Sequence, residues 1–173
     1  SPRLESLLEA HTLEVIVNFA AETHVDRSIQ DPAPFVHSNI LGCANLLDLA
    51  KKRWMAGGRP GGEIRFLQVS TDEVYGSLGG EGCFTESSPL RPQNPYAATK
   101  ASADLLAASY WPVYGMPVII SRCTNNFGPG QYKEKLIPKV ILSALSGQEI
   151  PLYGDGANIR DWLYVEDHVR ALD

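Results

Sequence analysis

RFLQVSTDEVYG, residues 65–76, changes character twice in a short span: an apolar run, then Thr71, Asp72 and Glu73 side by side, then Val74 and Tyr75. The run from Ile64 to Val69 suits a strand. Two acids and a hydroxyl beyond a strand are, taken alone, most simply a solvated turn, so the neighbouring segments decide. Upstream, Glu14–Ala20 is a short β-branched run ending in small residues, which predicts a strand buried on both faces and central in its sheet. After a turn at Asp31–Pro34, residues 35–54 carry Val36, Ile40, Ala44, Leu47 and Ala50 at spacings of three and four. Lys51, Lys52 and Arg53 follow where a helix dipole favours cations. GGRPGG, residues 57–62, ends that helix. Downstream comes a loop with Gly79, Gly80 and Gly82, and then Asn94-Pro95 opens a second helix as an N-cap followed by proline at the first position. Ala97, Ala98, Ala101, Ala103, Ala107 and Ala108 make that helix slim enough to lie close on a sheet. Pro117–Arg122 predicts a third strand and Leu136–Leu145 a third helix. Ile150–Tyr153 and Trp162–Val165 read as short extended pieces. Strand and helix alternate, so the fold class is α/β, a parallel sheet covered by helices.

The 173 residues make about one domain, long enough to bury a core. Hydrophobic residues form 44% and charged residues 20%, the balance of a soluble globular protein, and no apolar run approaches the roughly 18 residues of a membrane span. A formal charge of −5 disfavours a nucleic-acid backbone as partner. Cys43, Cys83 and Cys123 are far apart in sequence with no CxxC pair, which points to reduced thiols in a cytoplasmic protein rather than a zinc site or a disulfide framework. His11, His24, His37 and His168 show no metal-ligand spacing, so no metal is expected. No strand is followed by a glycine-rich GxGxxG turn, and the chain therefore reads as the middle of a larger fold.

In PYAATK, residues 95–100, Tyr96 and Lys100 are four apart and share one face of a helix, with about 5 to 6 Å between Cβ atoms. A tyrosine beside an ammonium ionises more readily, so such a pair can move protons near neutrality. The spacing is common, and a packed tyrosine with a surface lysine is its plain alternative. A hydroxyl at the C-terminal end of the preceding strand completes a proton-transfer set, because open α/β sheets bind ligands there. Thr71 stands in that place.

Thr71, Tyr96 and Lys100, in this order, resemble the catalytic triad of the extended short-chain dehydrogenase/reductase family. NFAAETHVDRSI, STDEVYG, PYAATK, RCTNNFGPGQ, EKLIP and IRDWLYVEDH, in register from about Glu14 to Asp173, are similar to its nucleotide-sugar dehydratases. The Thr-Asp-Glu order differs from the Thr-Ser-Glu typical of GDP-mannose dehydratases and from the epimerases, which lack both acids. The fold implied is a partial Rossmann-like, doubly wound parallel sheet with helices on both faces, truncated at both ends. Residues 1–173 would be the central part of such an enzyme, with the substrate-binding region beginning near residue 125.

The resemblance further implies NAD as cofactor and dTDP-glucose as substrate. Tyr96 would take the C4 hydroxyl proton, with Thr71 in its hydrogen-bond network and Lys100 holding the ribose of NAD. Glu73 would take the C5 proton, and Asp72, protonated, would release the C6 hydroxyl as water. Adjacent acids push their proton affinities apart, which suits one acid and one base. Cofactor contacts are implied for Ala20, Ala21, Thr23, Asn39 and Cys123, besides Tyr96 and Lys100, with Asn39 as the helix asparagine that props the active-site strand. Substrate contacts are implied for Thr23, Thr71, Asn125, Lys135, Leu136, Pro151, Tyr153 and Arg160. Arg160 suits a pyrophosphate, its alternative being an ion pair with Asp161, Glu166 or Asp167. A homodimer formed by the helices at 35–53 and 96–110 is expected, and the 173-residue chain alone is expected to be inactive. Two other readings stay open: a 4-epimerase or UDP-glucuronate decarboxylase, and a non-catalytic nucleotide-sugar-binding module.

Overall fold

The computed structural model describes residues 2–56, 64–80, 82–150, 152 and 154–173. The GGRPGG break expected at 57–62 and the site residues Pro151 and Tyr153 lie outside the described residues. The chain divides into two compact units, Ser1–Arg122 and Cys123–Asp173.

In the first unit the order is α1 (Pro2–Ala10), β1 (Val15–Asn18), α2 (Val25–Gln30), α3 (Ala33–Phe35), a π-helical segment (Val36–Leu41) running into α4 (Gly42–Ala56), β2 (Arg65–Thr71), a 3-10 turn (Asp72–Tyr75), α5 (Pro95–Tyr114) and β3 (Val118–Cys123). The sheet order is β1-β2-β3. β1 and β2 run parallel, with Val15 opposite Arg65 and Asn18 opposite Gln68. Arg65 N–H donates to Glu14 O at 2.8 Å and Phe66 N–H to Pro117 O at 3.0 Å, so successive residues of β2 bond to opposite sides. The central strand is thus β2, which corrects the expectation for β1. Among the described residues β1 pairs with β2 alone, and Val15 and Val17 remain 54% and 42% exposed. A β-branched run reports apolar character, not how many neighbours the strand has.

One face of the sheet carries the core. Ile16, Phe66 and Ile120 meet Leu8 of α1, Leu47, Ala50 and Trp54 of α4, and Ala103 and Ala107 of α5. Ala103 and Ala107 are fully buried, and a side chain no larger than a methyl lets the α5 backbone approach the sheet. Phe66 is likewise fully buried, a burial worth about 1.5 to 3 kcal/mol. Trp54 anchors the end of α4 through its Nε1–H, which donates to Leu13 O at 2.8 Å.

The apolar stripe of the 35–54 helix differs from the sequence expectation. Phe35, Asn39, Cys43, Leu47, Ala50 and Trp54 are the buried positions, while Val36 is 41% exposed. The π segment explains the offset. A π turn holds more residues than an α turn, so positions before Leu41 fall one residue out of step with those after it. α5 starts as expected, with Asn94 as its cap and Pro95 in the first turn, and Gly115 closes it in the left-handed conformation.

The second unit contains β4 (Asn125–Phe127), α6 (Leu136–Leu145), β5 (Trp162–Tyr164) and α7 (Val165–Leu172). β4 and β5 pair in parallel, Asn125 opposite Trp162 and Phe127 opposite Tyr164. The Phe127 ring packs against Trp162 and Tyr164 with centroids 6.5 and 5.6 Å away. Among the described residues no helix is long and apolar enough to cross a membrane.

Candidate active site

The strand that opened the sequence argument ends at Thr71, whose extended backbone and side chain cap the 3-10 turn: Glu73 N–H donates to Thr71 Oγ1 at 3.3 Å. Asp72 and Glu73 open this turn. The Thr71 hydroxyl donates to Asp72 Oδ1 at 3.3 Å. Both acids are half-buried. Burial holds the Asp72 carboxyl above the usual carboxylate range; the neighbouring Glu73 charge adds to this, and the Thr71 hydrogen bond opposes it. The turn closes at Gly76, with φ of 86°, where a Cβ would sit 2.5 Å from Arg91 O. Only glycine combines that backbone with so close a neighbour.

α5 brings Tyr96 and Lys100 to this turn by two tethers. The buried Lys100 ammonium donates to Val69 O at 2.7 Å, fastening the helix to β2 two residues before Thr71. Asn94, at the head of α5, donates from Nδ2 to Glu73 Oε2 at 3.0 Å. Its Oδ1 accepts from Ala97 N–H at 2.8 Å. Tyr96 is buried, and its own N–H donates to Ser28 Oγ of α2 at 3.1 Å. One helix face thus carries both members of the tyrosine-lysine pair alongside the acid turn.

Two further groups stiffen the surroundings. Asn39, 2% exposed in the π segment, accepts from Glu22 N–H at 2.8 Å and donates to Glu22 O at 3.1 Å and to Thr99 Oγ1 at 2.9 Å. It therefore ties the loop after β1 to α5, between Tyr96 and Lys100, rather than propping a strand directly. One turn beyond Lys100, Asp104 is fully buried and paired to Arg122 of β3, with Nε to Oδ2 at 2.8 Å. Arg122 Nη1 donates in turn to the Tyr75 hydroxyl at 2.9 Å, at the end of the 3-10 turn. Burial keeps the Asp104 carboxyl above its ordinary range, opposed by Arg122. The Asn94, Ser28 and Asp104–Arg122–Tyr75 links were missed by sequence reasoning. Only Asn94 carried a local signal, as a cap.

Of the other expected site residues, Ala20 and Thr23 are exposed and Ala21 is half-buried in the loop beyond β1, with Ala20 N–H bonded to Asn18 Oδ1 at 3.2 Å. Cys123, Asn125, Lys135, Leu136 and Arg160 belong to the second unit. There Asn126 Nδ2 donates to Cys123 Sγ at 3.2 Å. Lys135 stands at the N-cap position of α6 without a side-chain cap, and Leu136 and Arg160 line a cleft of about 410 Å³ together with Lys139, Leu152 and Asn158. Glu166 and Asp167 are engaged by Arg170 and the Asp161 carboxylate by Trp162 N–H, so the named acids take partners other than Arg160. No group of three His, Cys, Asp or Glu side chains that could hold a metal ion occurs among the described residues.

Comparison with known proteins identifies relatives of the chain. The family model described as GDP-mannose 4,6 dehydratase matches residues 1–173. A dTDP-glucose 4,6-dehydratase of Xanthomonas campestris pv. campestris is 48% identical over 96% of this chain and 48% of its own length. The low-salt glycan biosynthesis protein Agl12 of Haloferax volcanii is 54% identical over 92% of this chain and 49% of its own. The crystal structure of a dTDP-glucose 4,6-dehydratase from Bacillus anthracis, in complex with NAD, superposes with a TM-score of 0.86 at 49% identity, covering 99% of this chain and 50% of that one. The chain spans about half the length of the relatives it matches.

Proposed function

Since the chain belongs to the GDP-mannose 4,6 dehydratase family, we propose that the protein carrying it is an NAD-dependent dehydratase converting dTDP-glucose to dTDP-4-keto-6-deoxyglucose. The observation that carries this reading is the attachment of the Thr71-Asp72-Glu73 turn to the helix bearing Tyr96 and Lys100, through Asn94 to Glu73 at 3.0 Å and Lys100 to Val69 at 2.7 Å. Within the family, the Thr-Asp-Glu order resembles the thymidine-linked dehydratases, in line with the 48% identical Xanthomonas relative.

The chain's own residues fit a nicotinamide cofactor. Small side chains, Ala20 and Ala21, follow the end of β1, where backbone can approach a ligand, and the Tyr96-Lys100 face lies beside the same ends of the parallel strands. NAD, when bound, supplies the acceptor that removes hydride from C4 and returns it to C6. Tyr96 takes the C4 hydroxyl proton, with Thr71 in its hydrogen-bond network. Lys100 holds ribose and phenolate; an ammonium has three protons, one of them committed to Val69 O. Oxidation at C4 acidifies the C5 proton, which Glu73 accepts and later returns to C5 as hydride reaches C6. The C5–H electron pair becomes the C5–C6 double bond, the C6–O bond breaks, and Asp72 donates the proton that lets the hydroxyl leave as water. Burial raises the Asp72 proton affinity in the direction this acid role needs.

Ala20, Ala21, Thr23, Asn39 and Cys123 complete the cofactor set in this reading. Thr23, Thr71, Asn125, Lys135, Leu136 and Arg160 complete the substrate set. The cleft at Leu136 and Arg160 supports the assignment, because a guanidinium beside a helix N-terminus suits a pyrophosphate. The enzyme is a homodimer in this reading, with Leu105, Trp111 and Val113 of α5 as exposed apolar surface for a second copy. It works in the cytoplasm, in keeping with thiols that are not joined in disulfides.

The test is incubation of the full-length protein with dTDP-glucose and NAD, followed by mass and NMR analysis of the sugar. Loss of one water and a ketone at C4 is the expected result. A C4-inverted sugar of unchanged mass would mean an epimerase, and no turnover would refute the reading. Asp72→Asn combined with Glu73→Gln is expected to stop water loss while C4 oxidation continues in part.

A further inference from the structure

Asn94 is used at both ends of its side chain. Its Oδ1 takes the Ala97 N–H of α5 at 2.8 Å, and its Nδ2 meets Glu73 Oε2 at 3.0 Å. The amide orientation follows from chemistry, because a helix N-terminus presents only N–H donors and therefore claims the oxygen. The nitrogen must then face the carboxylate 21 positions earlier in the chain. Serine, threonine and aspartate cap helices about as well as asparagine. None of them offers an amide donor at the far side. The cap alone thus leaves the choice of asparagine unexplained, whereas the contact with Glu73 accounts for it.

The two acids of the turn are consequently held by different groups. The Asp72 carboxylate accepts from the Thr71 hydroxyl at 3.3 Å, within its own turn. The Glu73 carboxylate is gripped from another element, by a residue two positions ahead of Tyr96. We infer that Asn94 is a positioning residue that fixes the Glu73 carboxylate and so makes Glu73, rather than Asp72, the group that takes the C5 proton. This rests on the dehydratase reading. A hydrogen bond from an amide to a carboxylate restricts its rotamer, which a positioned proton acceptor needs. It also locks the acid turn to the head of α5, so that the C5 base and the Tyr96 phenol keep their separation.

The experiment uses Asn94→Asp in the full-length protein, a change that retains the cap and replaces the amide donor with a second carboxylate. With dTDP-glucose in single turnover, NADH formation reports C4 oxidation, and deuterium incorporation from solvent reports C5 deprotonation. C5 exchange is expected to fall about tenfold or more, the size of a lost hydrogen bond to a charged group, while C4 oxidation changes by about twofold at most and the melting temperature holds. On a Glu73→Gln background the same substitution is expected to add no further loss. Unchanged C5 exchange, an equal loss in both steps, or full additivity with Glu73→Gln would each overturn the inference. Should Asn94→Asp melt lower, Asn94→Ser, which also caps, repeats the comparison by the same criteria. If the wild-type protein shows no reaction with dTDP-glucose, the dehydratase reading fails separately. A crystal structure of the Asn94→Asp protein then decides on positioning alone: a displaced Glu73 carboxylate supports it, and an unmoved one overturns it.

Discussion

Replacing Arg122 by methionine removes one half of a buried ion pair and leaves the other half in place. The Asp104 side chain has no exposed surface, the Arg122 side chain is 20% exposed, and the two meet at 2.8 Å. Removing one partner of a buried pair costs about 3 to 5 kcal/mol, and the partial exposure of Arg122 places this case near the lower end, at about 3 kcal/mol. The Tyr75 hydroxyl loses its 2.9 Å donor as well, which adds about 1 kcal/mol. Asp104 has an escape, however, because it can bind a proton. Its carboxyl already lies above the ordinary range in the native protein, and loss of Arg122 raises it further. A carboxyl whose proton affinity is raised on folding contributes stability that is fully present below its unfolded pKa of about 3.9 and is lost as pH rises through the folded value. The penalty relative to wild type should therefore be small near about pH 4, grow by up to about 1.4 kcal/mol per pH unit through that window, and level off above it. Urea denaturation of both proteins at several pH values measures this, with the m-value as a check that the unfolded states are comparable. Adding Asp104→Asn to Arg122→Met should recover much of the loss, since no charge is then stranded. A penalty independent of pH, or a double variant as unstable as the sum of the two single ones, would refute the reasoning.

Gly76→Ala is expected to destabilise by about 2 kcal/mol or more, because a Cβ at φ of 86° also meets Arg91 O at 2.5 Å; thermal melting checks it. Trp54→Phe keeps the ring in the core and forfeits the 2.8 Å bond to Leu13 O, an expected loss of about 1 kcal/mol in the same assay. The water-loss step should slow as pH rises through the elevated Asp72 value, since its acid must be protonated. In Asp72→Asn that alkaline dependence should vanish along with most of the rate, as seen by following product formation across pH.

Legibility in the sequence followed the range of the physics involved. The cap at Asn94 and the start at Pro95 were readable because both act within one helical turn. So were the Leu136–Leu145 helix and the end of β2 at the Thr71 turn. The position of β1 was not readable: Glu14–Ala20 records apolarity, and only the bonds from Arg65 and Phe66 to two different neighbours reveal which strand is central. The short helix α2 was not readable, since six residues capped by His24 leave little periodicity to detect. The π segment has no composition of its own, and its presence misaligned the predicted stripe at Val36. At the candidate site, Thr71, Asp72, Glu73, Tyr96 and Lys100 were legible as a pattern of types in order. The groups that hold them, Asn94 on Glu73, Ser28 on Tyr96 and Asp104 on Arg122, join residues 18 to 68 positions apart and have no local signature.

The widened turn at Val36–Leu41 constrains how the chain length here can vary. Its extra residue reconciles two stretches of helix that each have something to bury, Phe35 and Asn39 on one side and Leu47 and Trp54 on the other. Deleting a single residue from it would convert the turn to ordinary α-helix without breaking it, but would swing everything N-terminal by about 100° around the axis. Phe35 would leave the interior and the Asn39 amide would turn away from Glu22 and Thr99 together. A shortened relative would thus need a different lock for the loop beyond β1, whereas substitutions at the outward-facing Val36 or Leu41 leave the device intact.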